Sequence, residues 1–270
     1  MINKIIPYFG RRRVGGVVPS TLLLDDYPDA ATAYSLRYLR AGYIGSPVIR
    51  VRRSSDNLED DFTPDEIING VLESWVGVGN DGFVTIWYDQ SLFTINAIQA
   101  TLSAQPKIVS IGSIILENSM PSLLFSGSQY LQASISLQSQ PNTYFVVNYK
   151  RDNYLFDSTQ GTNRNANGDS DWIFAGSVLY NAYPVAFWSN QRLFTALFNS
   201  TSSTTWIDGA FQVTGNSGTM AMSGLRIGAG SSLGFPRLNG NVQEFVFYNQ
   251  DQTTNRIGIE SNINAYYSIY

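Results

Sequence analysis

The chain has no cysteine and no histidine among its 270 residues. Disulfides, Cys- or His-ligated metal centres and every Ser-His or Cys-His nucleophile pair are thereby excluded. Carboxylate chemistry or a metal held by oxygen remains. Charge is also scarce, with Asp, Glu, Lys and Arg making up 14% and a formal net charge of −4. Such a balance sets up no field that draws in nucleic acid or anionic lipid, so neither nucleic acid nor membrane insertion is expected. No apolar run approaches the roughly 20 residues that span a bilayer. The N-terminus lacks the basic, apolar, small-residue order of a secretion signal, and the chain is expected to be made and folded in a cytoplasm. Little charge does not mean little order, because hydrophobic residues reach 43% and aromatics 13%. That composition belongs to a folded, β-rich protein kept soluble by Ser, Thr, Asn and Gln.

Met1 to Ser20 reads as an extended arm punctuated by Gly and Pro. Its Ile5, Ile6, Tyr8 and Phe9, followed by Arg11, Arg12 and Arg13, suit an anchor that docks on a neighbouring subunit. Residues 21–270 are expected to form one domain. The spacing of Ala31, Ala33, Leu36 and Leu39 predicts a short helix within Asp25 to Arg40, capped by Asp25 or Asp26. Val48 to Arg53 and Phe83 to Tyr88 read as strands, and Asp65 to Leu72 as a second short helix. Beyond Gln105 come many short β-like runs, among them Tyr144 to Tyr149, Tyr154 to Phe156, Val185 to Trp188, Arg192 to Phe198, Thr204 to Ile207 and Val242 to Tyr248. Asn167-Gly168 and Asp208-Gly209 mark turns between them. Asp251 to Tyr267, with Arg256 four residues before Glu260, reads as a C-terminal helix. Many strands with few helices make an all-β sandwich or jelly roll.

Three ordered segments carry a family resemblance: Ala33-Tyr34-Ser35-Leu36-Arg37, Val48 to Asp56, and Trp87-Tyr88-Asp89-Gln90-Ser91. Together they resemble the catalytic domain of AbfB-type alpha-L-arabinofuranosidases. In that family the nucleophile is a Glu before an "NNLF" strand and the acid an Asp in a "GIGGD" turn. The matching stretches here, Ser189 to Phe194 and Arg226 to Gly230, put Asn190 and Gly230 at those positions. A retaining glycosidase needs two carboxyl groups roughly 5 Å apart. The windows 187–200 and 225–234 contain no Asp or Glu, so the resemblance implies a glycosidase fold without its chemistry. Trp206-Ile207-Asp208-Gly209, Leu225 to Gly228 and Leu238 to Asn249 further resemble a concanavalin A-like (LamG-like) jelly-roll sandwich. The whole order, closing on the C-terminal helix, looks like bacteriophage virion proteins.

The resemblance therefore implies a non-enzymatic virion structural protein: a fibre, tail-tip or capsid-decorating subunit, assembled in the host cytoplasm and displayed on the particle surface. Its expected partners are other virion subunits held through the arm, copies of itself in a homo-oligomer, and host-surface glycans. The alternatives are a lectin module without a virion role and an active arabinofuranosidase-like glycosidase. No cofactor and no metal is expected. The loop Gly161 to Asp171, with Asn163, Asn165, Asn167, Asp169 and Asp171, offers oxygens to a hard cation but lacks EF-hand spacing, and reads as a solvated hairpin. Trp188 and Asn190 beside the former catalytic strand, with Asp89, are the candidate glycan contacts. Asp89 also suits a turn cap at a strand end. Asp157, Asp208 and Glu244 stand isolated and are expected to cap, pair or solvate.

Overall fold

In the strand Asn142–Asp152, Tyr144 and Val146 alternate with Phe145 and Val147, and all four are fully buried. A strand that is apolar on both faces must be covered on both. The computed structural model, which describes residues 21–168, 172–180 and 190–270, shows what covers it. Tyr144 and Val146 enter the main core with Phe156, Phe194, Phe198, Phe245 and Phe247. Phe145 and Val147 pack into a second core with Leu193, Val246, Tyr248, Ile259 and Ile263. Ile259 and Ile263 come from the C-terminal helix Arg256–Tyr267, which roofs that outer face. Tyr144 is the hub of the main core, stacked on Phe156 at 4.7 Å and on Phe247 at 4.7 Å between ring centroids.

Asn142–Asp152 lies between Arg192–Phe198 and Asn239–Tyr248, both antiparallel. Arg192–Phe198 continues to Ser203–Ile207 and then to Ala210–Gly215. On its other flank, Asn239–Tyr248 pairs with Thr32–Ser35 and Leu123–Ser126. The opposing layer joins Ile49–Arg53 to Glu59–Phe62 and Gly82–Trp87, and Leu225–Ile227 to Leu131–Ala133 and Phe156–Asp157. The result is the all-β, jelly-roll-like sandwich with a few short helices that the sequence indicated. At the Asp208-Gly209 turn both residues have positive φ, 52° and 76°, the geometry that a two-residue hairpin of the primed type requires. The expected Arg256–Glu260 ion pair is present across one turn of the C-terminal helix.

The helix expected within Asp25 to Arg40 does not form. A helix covers only Leu23–Asp26, and Thr32–Ser35 is a strand pairing with Phe247 to Glu244. Pro28 pushes the residue before it away from helical backbone angles. Asp25 caps no helix start and instead accepts the Ala41 N–H at 3.1 Å. The expected helix over Asp65 to Leu72 splits into Pro64–Ile68 and Val71–Val76 at Gly70, whose φ is 82°. Thr63 and Glu66 close a capping box on the first of these. The arm residues Ile5, Ile6, Tyr8, Phe9 and Arg11 to Arg13, the strand expected at Val185 to Trp188, and Trp188 itself lie outside the described residues.

Gly218 takes φ 95°, and a Cβ there would lie 2.2 Å from the Ala175 carbonyl oxygen. Left-handed backbone costs a non-glycine residue roughly 1–2 kcal/mol, and a clash with backbone cannot be relieved by a rotamer change. Gly218→Ala is expected to lower the urea midpoint, with a loss of unfolding free energy greater than that penalty alone. An unchanged midpoint would contradict the packing described for this loop.

Candidate active site

Asp89 ends the strand Gly82–Trp87 and is 1% exposed. Its carboxylate accepts the N–H groups of Ala33 at 2.7 Å, Ser91 at 2.9 Å and Ile95 at 2.8 Å, together with the Ser91 hydroxyl at 2.7 Å. Gln90 completes the staple, accepting the Leu39 N–H at 2.8 Å and donating to the Arg37 carbonyl at 2.8 Å. Burial pushes the Asp89 carboxyl up, against the pull of the N–H and hydroxyl donors around it. Asp89 thus faces the protein interior and leaves no free oxygen for a glycan. Asp89→Ala would orphan three backbone donors at roughly 1–3 kcal/mol for each one buried. A loss of about 3 kcal/mol in chemical denaturation is expected, and a loss below about 1 kcal/mol would contradict the staple.

Of the two positions matched to the family's carboxylates, Asn190 is exposed on a bend before Arg192–Phe198. Gly230 is buried, and a Cβ on it would lie 2.8 Å from the Phe235 ring. The turn holding Gly230 follows the strand Leu225–Ile227. It opens at Gly228, whose φ is 87° and whose Cβ position is 2.6 Å from the Phe125 ring, so only glycine fits there.

Asp157 brings a carboxylate to this turn from the neighbouring strand. Phe156 and Asp157 pair with Ile227 and Arg226. Asp157 Oδ2 accepts the Ser231 N–H at 2.7 Å and Oδ1 the Ser158 N–H at 2.7 Å. Arg164 grips both oxygens through Nε at 3.2 and 3.1 Å, and its Nη2 donates to Oδ2 at 2.6 Å. Burial pushes the Asp157 carboxyl up, with Arg164 and the two N–H groups opposing. From the other side, the Arg226 Nη1 donates to the Gly230 carbonyl at 3.1 Å and to the Ser231 carbonyl.

Aromatic rings gather around the Gly230 turn and Arg164. Tyr154 and Phe235 stack with centroids 5.5 Å apart, and Trp172 stands edge-on to Tyr154 at 5.5 Å. The Arg164 guanidinium lies over Phe174 at 4.8 Å. Phe235 remains 40% exposed, so the group reaches the surface. Sequence reasoning singled out Asp157 only as an isolated acid and missed Arg164, Arg226, Tyr154 and Phe235. The available signal was the Asn167-Gly168 turn. It folds residues 166–167 onto Ile173–Phe174, while the preceding connection from Asp157 returns Asn167 to Phe156 and carries Arg164 back to Asp157.

The remaining sequence-predicted residues are committed elsewhere. Asp208 pairs with Arg192 at 2.5 Å and Glu244 with Arg37 at 2.8 Å. In the Asn-rich loop, Asn165 is buried and accepts the Tyr144 hydroxyl at 3.2 Å, while its amide donates to the Arg164 and Met220 carbonyls. Asp169 and Asp171 lie outside the described residues. Among the described residues no group of three or more acids is placed to hold a metal ion.

No protein-family model and no curated protein matches the chain. Solved structures do match. An arabinofuranosidase complexed with arabinofuranosyl-α-1,2-xylobiose superposes with a TM-score of 0.67 at 15% identity, over 90% of this chain and 64% of that one. A GH54 α-L-arabinofuranosidase soaked with a cyclic sulfate inhibitor superposes with a TM-score of 0.63 at 15% identity, over 87% and 62%. The chain thus spans less than two thirds of the length of either enzyme, and the likeness is one of fold. It corrects two expectations. The virion structural role, and the conclusion that the chain is no enzyme, are overturned because the structures sharing this fold are glycosidases.

Proposed function

We propose that the chain hydrolyses α-L-arabinofuranosides, with the sugar bound over the Gly228 to Ser231 turn. The fold carries the reading, because two arabinofuranosidases superpose on most of this chain. Asp157 is a positioning residue: buried and ion-paired with Arg164, it holds the turn through the Ser231 N–H and gives no proton to the substrate. Asn190 and Gly230 supply no carboxylate, so the route does not run through a covalent intermediate at those positions. The surrounding rings, Tyr154, Trp172 and Phe235, offer the apolar edges against which a sugar packs.

The test is hydrolysis of 4-nitrophenyl α-L-arabinofuranoside, with the matching β-xyloside as control. Release of nitrophenol from the arabinofuranoside by the purified chain is the expected result. Equal release from both substrates, or none from either, would overturn the assignment.

A further inference from the structure

Two guanidinium groups converge on one ring beside this turn. The Arg226 guanidinium carbon lies 5.9 Å, and that of Arg237 5.3 Å, from the centroid of Tyr130. Arg226 Nε donates to Gln132 Oε1 at 3.1 Å, and its Nη1 holds the Gly230 and Ser231 carbonyls. Arg237 Nη1 donates to the Ser128 carbonyl and its Nη2 to the Leu233 carbonyl at 3.4 Å. Neither has a carboxylate partner among the described residues, whereas Arg37, Arg50, Arg53, Arg164, Arg192 and Arg256 are each paired with one. Arg40 and Arg52 also lack one, but each faces a ring of its own, Tyr43 and Phe83. The carboxylate on the strand opposite Arg226, Asp157, is spent on Arg164. Arg226 Nη2 and Arg237 Nε make no hydrogen bond within the described residues, and both side chains are partly exposed.

One uncommitted donor nitrogen on each of two guanidinium groups over the same ring suits the two oxygens of a carboxylate. The net charge of −4 works against a polyanion such as nucleic acid, which leaves a singly charged group as the better fit. We infer that Arg226 and Arg237 receive the carboxylate of an acidic sugar, a uronate-type residue in the saccharide chain that enters the site. The inference rests on the saccharide-site reading above and adds a substrate class to it: acidic rather than neutral glycans.

The experiment is calorimetric titration with two xylo-oligosaccharides of equal length, one bearing a glucuronate and one neutral, alongside inorganic phosphate. The intact chain is expected to bind the acidic oligosaccharide at least tenfold tighter than the neutral one, with the difference shrinking as salt rises. Arg237→Gln and Arg226→Gln should each bring the two affinities together. Arg226 also holds the turn carbonyls, so melting temperature is read for both variants, and Arg237→Gln decides if Arg226→Gln fails to fold. Equal affinities in the intact chain, a preference that survives Arg237→Gln, or phosphate binding as tight as the acidic oligosaccharide would overturn the inference. Binding is read without turnover. A chain that prefers the acidic sugar but releases no nitrophenol therefore keeps this inference and loses the hydrolytic one.

Discussion

Glu244→Gln is expected to cost about 3–5 kcal/mol of folding stability, the penalty for leaving a buried charge without its partner. The Arg37 and Glu244 side chains are 4% and 0% exposed, and they join through two bonds, Nε to Oε2 at 2.8 Å and Nη2 to Oε1 at 3.0 Å. Arg37 Nη1 also reaches Asn262 Oδ1 at 3.1 Å, and the Tyr266 ring covers the guanidinium at 4.8 Å. The pair therefore ties the chain just after Thr32–Ser35 to the strand Asn239–Tyr248 and to the C-terminal helix. Burial works against the charge on Arg37, and Glu244 more than restores it, so the guanidinium ends above its ordinary value. A glutamine keeps the shape and loses the charge. Guanidinium denaturation is the measurement, and a loss below about 1 kcal/mol would show that Arg37 finds other compensation. The double change Arg37→Met with Glu244→Leu should be more stable than Glu244→Gln, because no orphaned charge remains.

That ion pair also explains what could be read from the sequence. The segments that carried the family resemblance contain Arg37, Asp89 and Gln90, and in the structure these residues fasten strands and loops together. They encode a fold, so the sandwich was legible through them, while the expectation of no chemistry came from other stretches, Ser189 to Phe194 and Arg226 to Gly230, and reached too far. Short aromatic and β-branched runs made Tyr144 to Tyr149 and Val242 to Tyr248 visible as strands although both faces are buried, and Asp208-Gly209 announced its hairpin. Thr32–Ser35 was misread because all four of its residues are buried. Without alternation, Ala31, Ala33, Leu36 and Leu39 fit helical spacing as well as strand spacing, and pairing with Phe247 to Glu244 decided between them. Asp157 looked isolated because its partners arrive from three places: Arg164 across a hairpin, Ser231 across a turn and Ser158 next in the chain.

Asp157→Asn is expected to cost about 3–5 kcal/mol of folding stability, because Arg164 is then left as a largely buried charge without its partner. An amide has one accepting head, so it cannot take up the guanidinium and the Ser231 N–H as the two carboxylate oxygens do. With the turn loosened, arabinofuranoside turnover should fall through KM more than through kcat, and the pH profile should keep its shape. Chemical denaturation and the two kinetic constants are the measurements. A stability loss below about 1 kcal/mol would contradict the ion pair, and the loss of one limb of the pH profile would contradict a positioning role.

The account rests most on this chain cleaving an arabinofuranosyl bond. Its most direct measurement is NMR detection of arabinose released from arabinofuranosyl-α-1,2-xylobiose by the intact chain, shown to be folded by its melting temperature, beside a buffer control. Release above buffer is the predicted result. No release by the folded chain would contradict it.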